Sequence, residues 1–234
     1  MLLQILTYTH HLTTMLFGIF LSAFFLGVKQ NKKNVCILLG GGAVSGLFFL
    51  ICNTVFGSLF TEAVYPIFVH LPLFLLLVFY YRFRWLPSII SIMTAYLCCQ
   101  FSNWAGIFAL SLSGLEWVYY LVRIIVTVAV FAFLSRYLCQ TTALLFAKSD
   151  RELYILGAMP FVYYVFDYST TKFSMLLYSG NKVVVEFLAF AMCISYVIFL
   201  FVYFQEYELK NRAEQYGQLT NMQLNSLHSE IEQV

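Results

Sequence analysis

Long apolar runs, separated by short polar segments, constrain this chain more than any other feature of its sequence. Of its 234 residues, 62% are hydrophobic and only 10% are charged, whereas an average soluble domain carries about 25% charged residues. A soluble protein of this composition would expose large apolar patches and would aggregate. The sequence therefore predicts an all-α fold, a polytopic membrane helix bundle, and argues against a soluble enzyme.

Seven apolar runs approach or exceed the length of about 20 residues that a helix needs to cross a bilayer. Their approximate bounds are 6–28, 35–57, 64–81, 86–110, 118–138, 153–169 and 183–204. The sixth run is short and contains Pro160 and Asp167. We therefore expect a seven-span transmembrane domain over residues 1–204, followed by a separate segment, 205–234.

Basic residues are concentrated in alternate connecting segments. Ten of the 13 lie at the end of, or after, the first, third, fifth and seventh runs: Lys29, Lys32, Lys33, Arg82, Arg84, Arg136, Lys148, Arg151, Lys210 and Arg212. Only Lys172 and Lys182 fall between the sixth and seventh runs, and Arg123 lies inside the fifth. Because Lys and Arg in short loops stay in the cytoplasm, we predict an N-terminus outside and a C-terminus inside.

Motifs for chemistry are scarce. Gly40 to Gly42 and Gly46 lack the Lys and Ser/Thr of a phosphate loop, and the spacing of Gly42 and Gly46 favours close packing of two membrane helices. The six cysteines form no Cys-x-x-Cys pair, which favours structural thiols. The net charge of +2 gives no sign of a nucleic-acid partner. We predict no metal site, no cofactor and no catalytic residue.

Charged residues inside predicted spans still need an explanation, because exposing them to lipid is costly. Arg123, Asp167 and Glu186 all fall near the outer ends of their spans. They would form either a structural ion-pair group that snorkels to the interface or part of an outward-facing ligand pocket. The deeper lining of such a pocket would come from His70, Asn103 and Trp104. In the outer segment 170–182, Lys172, Tyr178 and Lys182 are candidates for contact with an anionic or peptide ligand.

The composition becomes polar and helix-favouring from Gln205 onward. Apolar residues recur there at steps of three to seven: Leu209, Tyr216, Leu219, Leu224, Leu227, Ile231 and Val234. This pattern predicts an amphipathic, coiled-coil-like cytoplasmic helix that serves as a dimerisation stalk, with Leu209, Tyr216, Leu219, Leu227 and Ile231 as its signalling residues. The alternative is an ordinary solvated tail.

Two stretches near the C-terminus carry a family resemblance. The sequences LLYSGNKVVVEFLAF (176–190) and YFQEYELKNRAEQYGQLTNMQL (203–224) resemble the last span and signalling helix of bacterial sensor histidine kinases. The type is the one with a multi-span sensor and a GHKL ATPase domain, similar to the peptide-sensing quorum kinases. The resemblance implies a homodimeric receptor in the bacterial cytoplasmic membrane, which relays a signal to a response regulator through its catalytic part.

The chain departs from that family in one respect. It has no His-Asp-x-Arg-x-His segment and none of the boxes of the ATPase domain, and His228 is not followed by Asp. These residues are therefore predicted to form the sensor half and not to be an enzyme by themselves. The alternative is a small polytopic transporter or a lipid-modifying membrane enzyme, although we see no internal repeat of the kind that transporters show.

Overall fold

The computed structural model describes the backbone of residues 2–57, 61, 64–147, 150–172 and 182–232. Side chains are described over the same ranges except at 141, 151, 168–172, 182–189 and 226–232. Within these ranges the chain is all-helical, which confirms the predicted fold class at this level. The helices are α1 (Leu2–Phe25), α2 (Lys32–Phe56), α3 (Pro66–Tyr80), α4 (Trp85–Cys98), α5 (Gln100–Ser113), α6 (Glu116–Tyr137), α7 (Cys139–Phe146), α8 (Asp150–Lys172) and α9 (Lys182–Glu232).

Among the residues that the structure describes, four helical stretches are long and apolar enough to cross a membrane: Lys32–Phe56, Trp85–Ser113, Glu116–Tyr137 and Phe190–Asn225. The helix α3 is apolar but shorter than these four. The helices α1 and α8, with 24 and 23 residues, are long enough to cross a membrane but are not among the four. The chain therefore has the character of a helical membrane protein, as its composition predicts.

Two of the predicted spans depart from a regular α-helix. The fourth predicted span, 86–110, is expected to be one helix, but a tight turn divides it at Cys99. There the N–H of Cys99 donates to the carbonyl of Tyr96, three residues back, at 3.1 Å. The third contains two π-helical turns, Pro66–His70 and Leu76–Tyr80, on either side of Leu71–Leu75. Pro72 has no backbone N–H to donate to the regular hydrogen-bond pattern of the helix. This missing donor accounts for the wider turn beside it.

The centre of the bundle is α4, where ten of 14 residues are buried. Its close neighbour is α8, because Gly157 leaves room for Ile90: a Cβ at position 157 would lie 2.6 Å from Ile90 Cγ1. The helices α1 and α2 approach in the same way. A Cβ on Gly42 would lie 3.1 Å from Ile19 Cδ1, and one on Gly46 would lie 3.5 Å from Met15 Cε. The predicted packing role of this glycine pair is thus confirmed.

The chain divides into two compact units, 1–193 and 194–234, whereas the sequence changes in composition later, at Gln205. The second unit, as far as it is described, is one stretch of helix. Its residues are apolar up to Phe204 and polar from Gln205, and nearly all side chains from Glu208 to Asn225 are exposed.

Candidate ligand site

One group of polar side chains joins α3, α4 and α8 within the first unit. Tyr96 of α4 donates a hydrogen bond to Asp167 Oδ2 of α8 at 2.6 Å. His70 of α3 lies 2.8 Å from the hydroxyl of Tyr164 through its Nδ1. Two residues singled out in the sequence, His70 and Asp167, therefore take part in one cluster, which we call the tyrosine cluster (Tyr65, His70, Tyr96, Tyr163, Tyr164 and Asp167).

The rings of the tyrosine cluster touch one another. The centroid of His70 lies 5.4 Å from that of Tyr65, 5.7 Å from Tyr96 and 5.5 Å from Tyr164, and Tyr96 and Tyr164 are 5.0 Å apart. Such edge-to-face contacts stabilise an aromatic group beyond the area it buries. Two hydrogen bonds, Tyr96 to Asp167 and His70 to Tyr164, join polar atoms within this aromatic group.

Local backbone features position the tyrosine cluster. His70 ends the first π-helical turn of α3, and Tyr96 accepts the tight-turn hydrogen bond of Cys99 at the end of α4. Wide and tight helical turns occur often at functional sites. Tyr163 is fully buried beside Tyr96, and its hydroxyl has no hydrogen-bond partner among the described residues. The site thus combines irregular backbone with an unsatisfied polar atom.

A second group of polar side chains lies where α1, α5 and α6 meet. Arg123 donates a hydrogen bond from Nη1 to the hydroxyl of Tyr119, and its Cζ lies 5.1 Å from the centroid of that ring. Its Nε–H is enclosed and has no acceptor in the described part of the chain. Buried His10 packs against His11 and Tyr120 with centroid distances of 5.4 and 5.9 Å. This cationic corner (His10, His11, Tyr119, Tyr120 and Arg123) is rich in hydrogen-bond donors.

Of the three charged residues predicted to meet, Arg123, Asp167 and Glu186, the structure describes the side chains of the first two only. Arg123 is bonded to Tyr119 and Asp167 to Tyr96, so each has a partner that the sequence did not indicate. The side chain of Glu186 lies outside the described residues, as do those of Lys172 and Lys182, and Tyr178 is outside them entirely. Their predicted roles in ligand contact stay predictions.

The other predicted lining residues lie on α5. Asn103 donates a hydrogen bond to the buried Gln100 at 3.3 Å. Trp104 packs against Phe190 with ring centroids 5.5 Å apart. Asn103 thus forms a hydrogen bond within α5, and Trp104 connects α5 with α9.

Nothing in the sequence alone singles out Tyr65, Tyr96, Tyr119, Tyr163 or Tyr164. Tyrosine hardly lowers the hydropathy of a span, and the chain has 17 of them. A search for buried hydroxyls at one helical turn from Asp167 would have picked out Tyr163 and Tyr164, since residues three and four apart share a helix face.

On α9, three predicted signalling residues are well exposed: Leu209 at 67%, Tyr216 at 71% and Leu219 at 54%. The side chains of Leu227 and Ile231 lie outside the described residues. Exposed apolar residues on a polar helix mark an interaction face when they recur on one side. The exposed set Leu209, Ala213, Tyr216, Thr220 and Leu224 follows steps of three and four.

Metal ligands do not cluster in the described part of the chain: no group of three or more His, Cys, Asp or Glu residues is placed to hold an ion. No family model matches the chain, and neither a curated protein nor a solved structure is found that resembles it.

Proposed function

We propose that this chain is the membrane sensor portion of a two-component sensor histidine kinase of the GHKL type, in a bacterial cytoplasmic membrane. It crosses the membrane seven times, with its N-terminus outside and its C-terminus inside. It detects an extracellular or membrane-borne signal, such as a peptide, and relays it through the last span to the cytoplasmic helix.

The directions of neighbouring helices support this topology. Phe131 of α6 contacts Phe17, Phe20 and Phe24 of α1, while Tyr120 contacts His10, so the first and fifth predicted spans run parallel. The fourth and sixth also run parallel, since Ile90 faces Gly157 and Tyr96 faces Tyr163. Spans that cross in the same direction must be an even number apart, as these are.

The two ends of the bundle differ in a way that suits a receptor. At the start of α4 and α8, predicted to be cytoplasmic, Arg84 pairs with Asp150. About 18 Å along α4, at the rise of 1.5 Å per residue, Tyr96 belongs to the tyrosine cluster. On the proposed topology, the polar clusters therefore lie toward the outer half of the bundle, where a signal from outside arrives.

The observation that carries the proposal is the helix of the second unit. It continues from an apolar stretch into a polar one without a break at Gln205, and its polar part keeps an exposed apolar stripe. A tail without a partner gains nothing from such a stripe. In a homodimer, the stripes of two copies cover each other, and a small rotation or piston movement of the last span changes how they pack.

The test is a chimera that joins this chain in helical register to the phosphoacceptor and ATPase portion of a sensor kinase. Autophosphorylation would be measured in membrane vesicles for the parent chimera and for the variants Asp167→Asn and Lys172→Ala/Lys182→Ala. We expect the bundle variants to change the rate several-fold, because they alter the two-state bundle that biases the stalk. A rate that is the same in every variant, and equal to that of a kinase portion fused to residues 205–234 alone, would contradict the proposal.

A small transporter is the second candidate, and the tyrosine cluster is the observation that favours it. Hydrogen-bonded His, Tyr and Asp side chains inside a membrane bundle are the groups used in proton relays. A transporter would be recognised by uptake into vesicles that depends on Asp167, with no effect of changes to the stripe of α9.

A further inference from the structure

We infer that the cationic corner is a binding site for an oxyanion, a phosphate or carboxylate group held by Arg123. The hydrogen bonding of this side chain is incomplete among the described residues. A guanidinium carries five N–H donors, and Arg123 is partly exposed while its Nε–H is enclosed with no acceptor. Its one side-chain hydrogen bond goes to the neutral hydroxyl of Tyr119.

The described helices that pack against Arg123 supply no carboxylate of their own. The helices that pack most closely against α6 are α5, α1 and α7, and their sequences contain no Asp or Glu. Within α6 the only carboxylate is Glu116, about two turns away. Among the described side chains, no carboxylate lies within ion-pair distance of Arg123, and Asp167 accepts from Tyr96 instead.

An unbalanced guanidinium inside a membrane protein is costly, and the packing here keeps it in place. Gly106 of α5 faces it so closely that a Cβ would lie 2.8 Å from Arg123 Cδ and 3.1 Å from Tyr119 Cδ2. The glycine therefore accommodates the stem of the arginine in the α5–α6 hairpin.

The free edge of the guanidinium defines the class of partner. With Nη1 engaged by Tyr119, the Nε–H and the neighbouring Nη2–H form a fork that matches two oxygens of one carboxylate or phosphate. Because the Nε–H is enclosed, binding requires a rotation of the guanidinium that brings the Nε–H to the exposed side, while the stem stays against Gly106. The oxyanion is supplied either by a soluble ligand or by a phospholipid headgroup.

Only the use of this oxyanion site in sensing rests on the proposed function. Binding of the oxyanion can be tested without a kinase. The full chain is purified in a neutral detergent, and its Tm is measured with two probes. Sodium phosphate is compared with sodium chloride of equal ionic strength, and phosphatidylglycerol in mixed micelles is compared with monoolein, which has no phosphate. At about 100 times Kd, a bound oxyanion should raise Tm by about 5 °C.

The matched variants are Arg123→Gln and Arg136→Gln, both on α6, and the second serves as control. We expect the Tm shift in wild type and in the Arg136→Gln variant, and its loss in the Arg123→Gln variant. A shift with phosphate assigns a soluble ligand, and a shift with phosphatidylglycerol alone assigns a lipid headgroup. No shift with either probe, or an equal shift in the Arg123→Gln variant, would overturn the inference.

Should Arg123→Gln fail to give folded protein, Arg123→Lys decides the question. It keeps the charge but replaces the fork by a single ammonium, so the shift should be smaller than in wild type. An unreduced shift in this variant would overturn the fork as the binding element.

Discussion

At the scale of single residues, the hydrogen bond from Tyr96 to Asp167 is the interaction on which the tyrosine cluster most depends. An O–H donor to a carboxylate at 2.6 Å belongs to the stronger class of hydrogen bonds. Measured hydrogen bonds between membrane helices average about 0.6 kcal/mol, with a maximum of about 1.7. Because this bond is charge-assisted, we place it toward the upper end of that range.

We predict that Tyr96→Phe lowers the free energy of unfolding by about 1 kcal/mol. The measurement is equilibrium unfolding in mixed micelles, with Asp167→Asn and the double variant to complete a cycle. The control is Tyr163→Phe, because the hydroxyl of Tyr163 is buried without a partner among the described residues and its removal should cost nothing. Equal losses in Tyr96→Phe and Tyr163→Phe would mean that the hydrogen bond to Asp167 contributes little.

The contact between Gly157 and Ile90 gives a second prediction at this scale. A Cβ at position 157 would lie 2.6 and 2.7 Å from Ile90 Cγ1 and Cδ1, so Gly157→Ala forces α4 and α8 apart. We expect a loss of about 1–3 kcal/mol in stability, measured as a lower Tm in detergent. Gly40→Ala should have little effect, since nothing lies within 4 Å of a Cβ there. If the clash is the cause, adding Ile90→Ala should cost less than the sum of the two single changes.

At the scale of helices, the exposed stripe of α9 makes a geometric prediction about a dimer. Leu209 and Tyr216 lie on the stripe, and Gln218 lies on the opposite side of the helix, since each residue advances about 100°. In a background without the six native cysteines, Leu209→Cys and Tyr216→Cys should form disulfide-linked dimers in membranes far faster than Gln218→Cys. Equal rates at the three positions would mean that the stripe does not pair two copies.

The sequence predicts most of the helices, but features without a clear residue pattern, such as irregular turns, are not predicted. Apolar runs indicate where helices lie, and the Gly42 and Gly46 spacing predicts the contact of α2 with α1. The break at Cys99 and the π-helical turns of α3 escape such reasoning. No glycine or proline marks Cys99, and a proline at position 72 predicts a disturbance without saying which turn it widens.

The candidate site was only partly predictable for a related reason. His70, Arg123 and Asp167 stand out because charged or ionisable groups are rare within apolar runs. Their partners Tyr119, Tyr96 and Tyr164 do not stand out, because tyrosine suits both an apolar span and a polar cluster. Which tyrosine meets which charge is decided by helix neighbours, and a single sequence does not specify that α4 lies beside α8.

At the scale of the whole molecule, the account requires that the two ends of the bundle face opposite sides of the membrane. Arg84 and Asp150 mark one end, and the tyrosine cluster and cationic corner lie toward the other. With the N-terminus outside, as proposed, the dimerisation helix lies in the cytoplasm only if the chain crosses the membrane an odd number of times between its termini.

The measurement that tests this most directly is labelling of single cysteines with a membrane-impermeant maleimide, in cells that produce an otherwise cysteine-free chain. Gln4, Asn31, Ser113 and Gln215 are all exposed and sample both termini and two connections. We predict that Gln4→Cys and Ser113→Cys are labelled in intact cells, whereas Asn31→Cys and Gln215→Cys are labelled only after permeabilisation. Labelling of Gln215→Cys in intact cells, or of Gln4→Cys only after permeabilisation, would contradict the receptor topology.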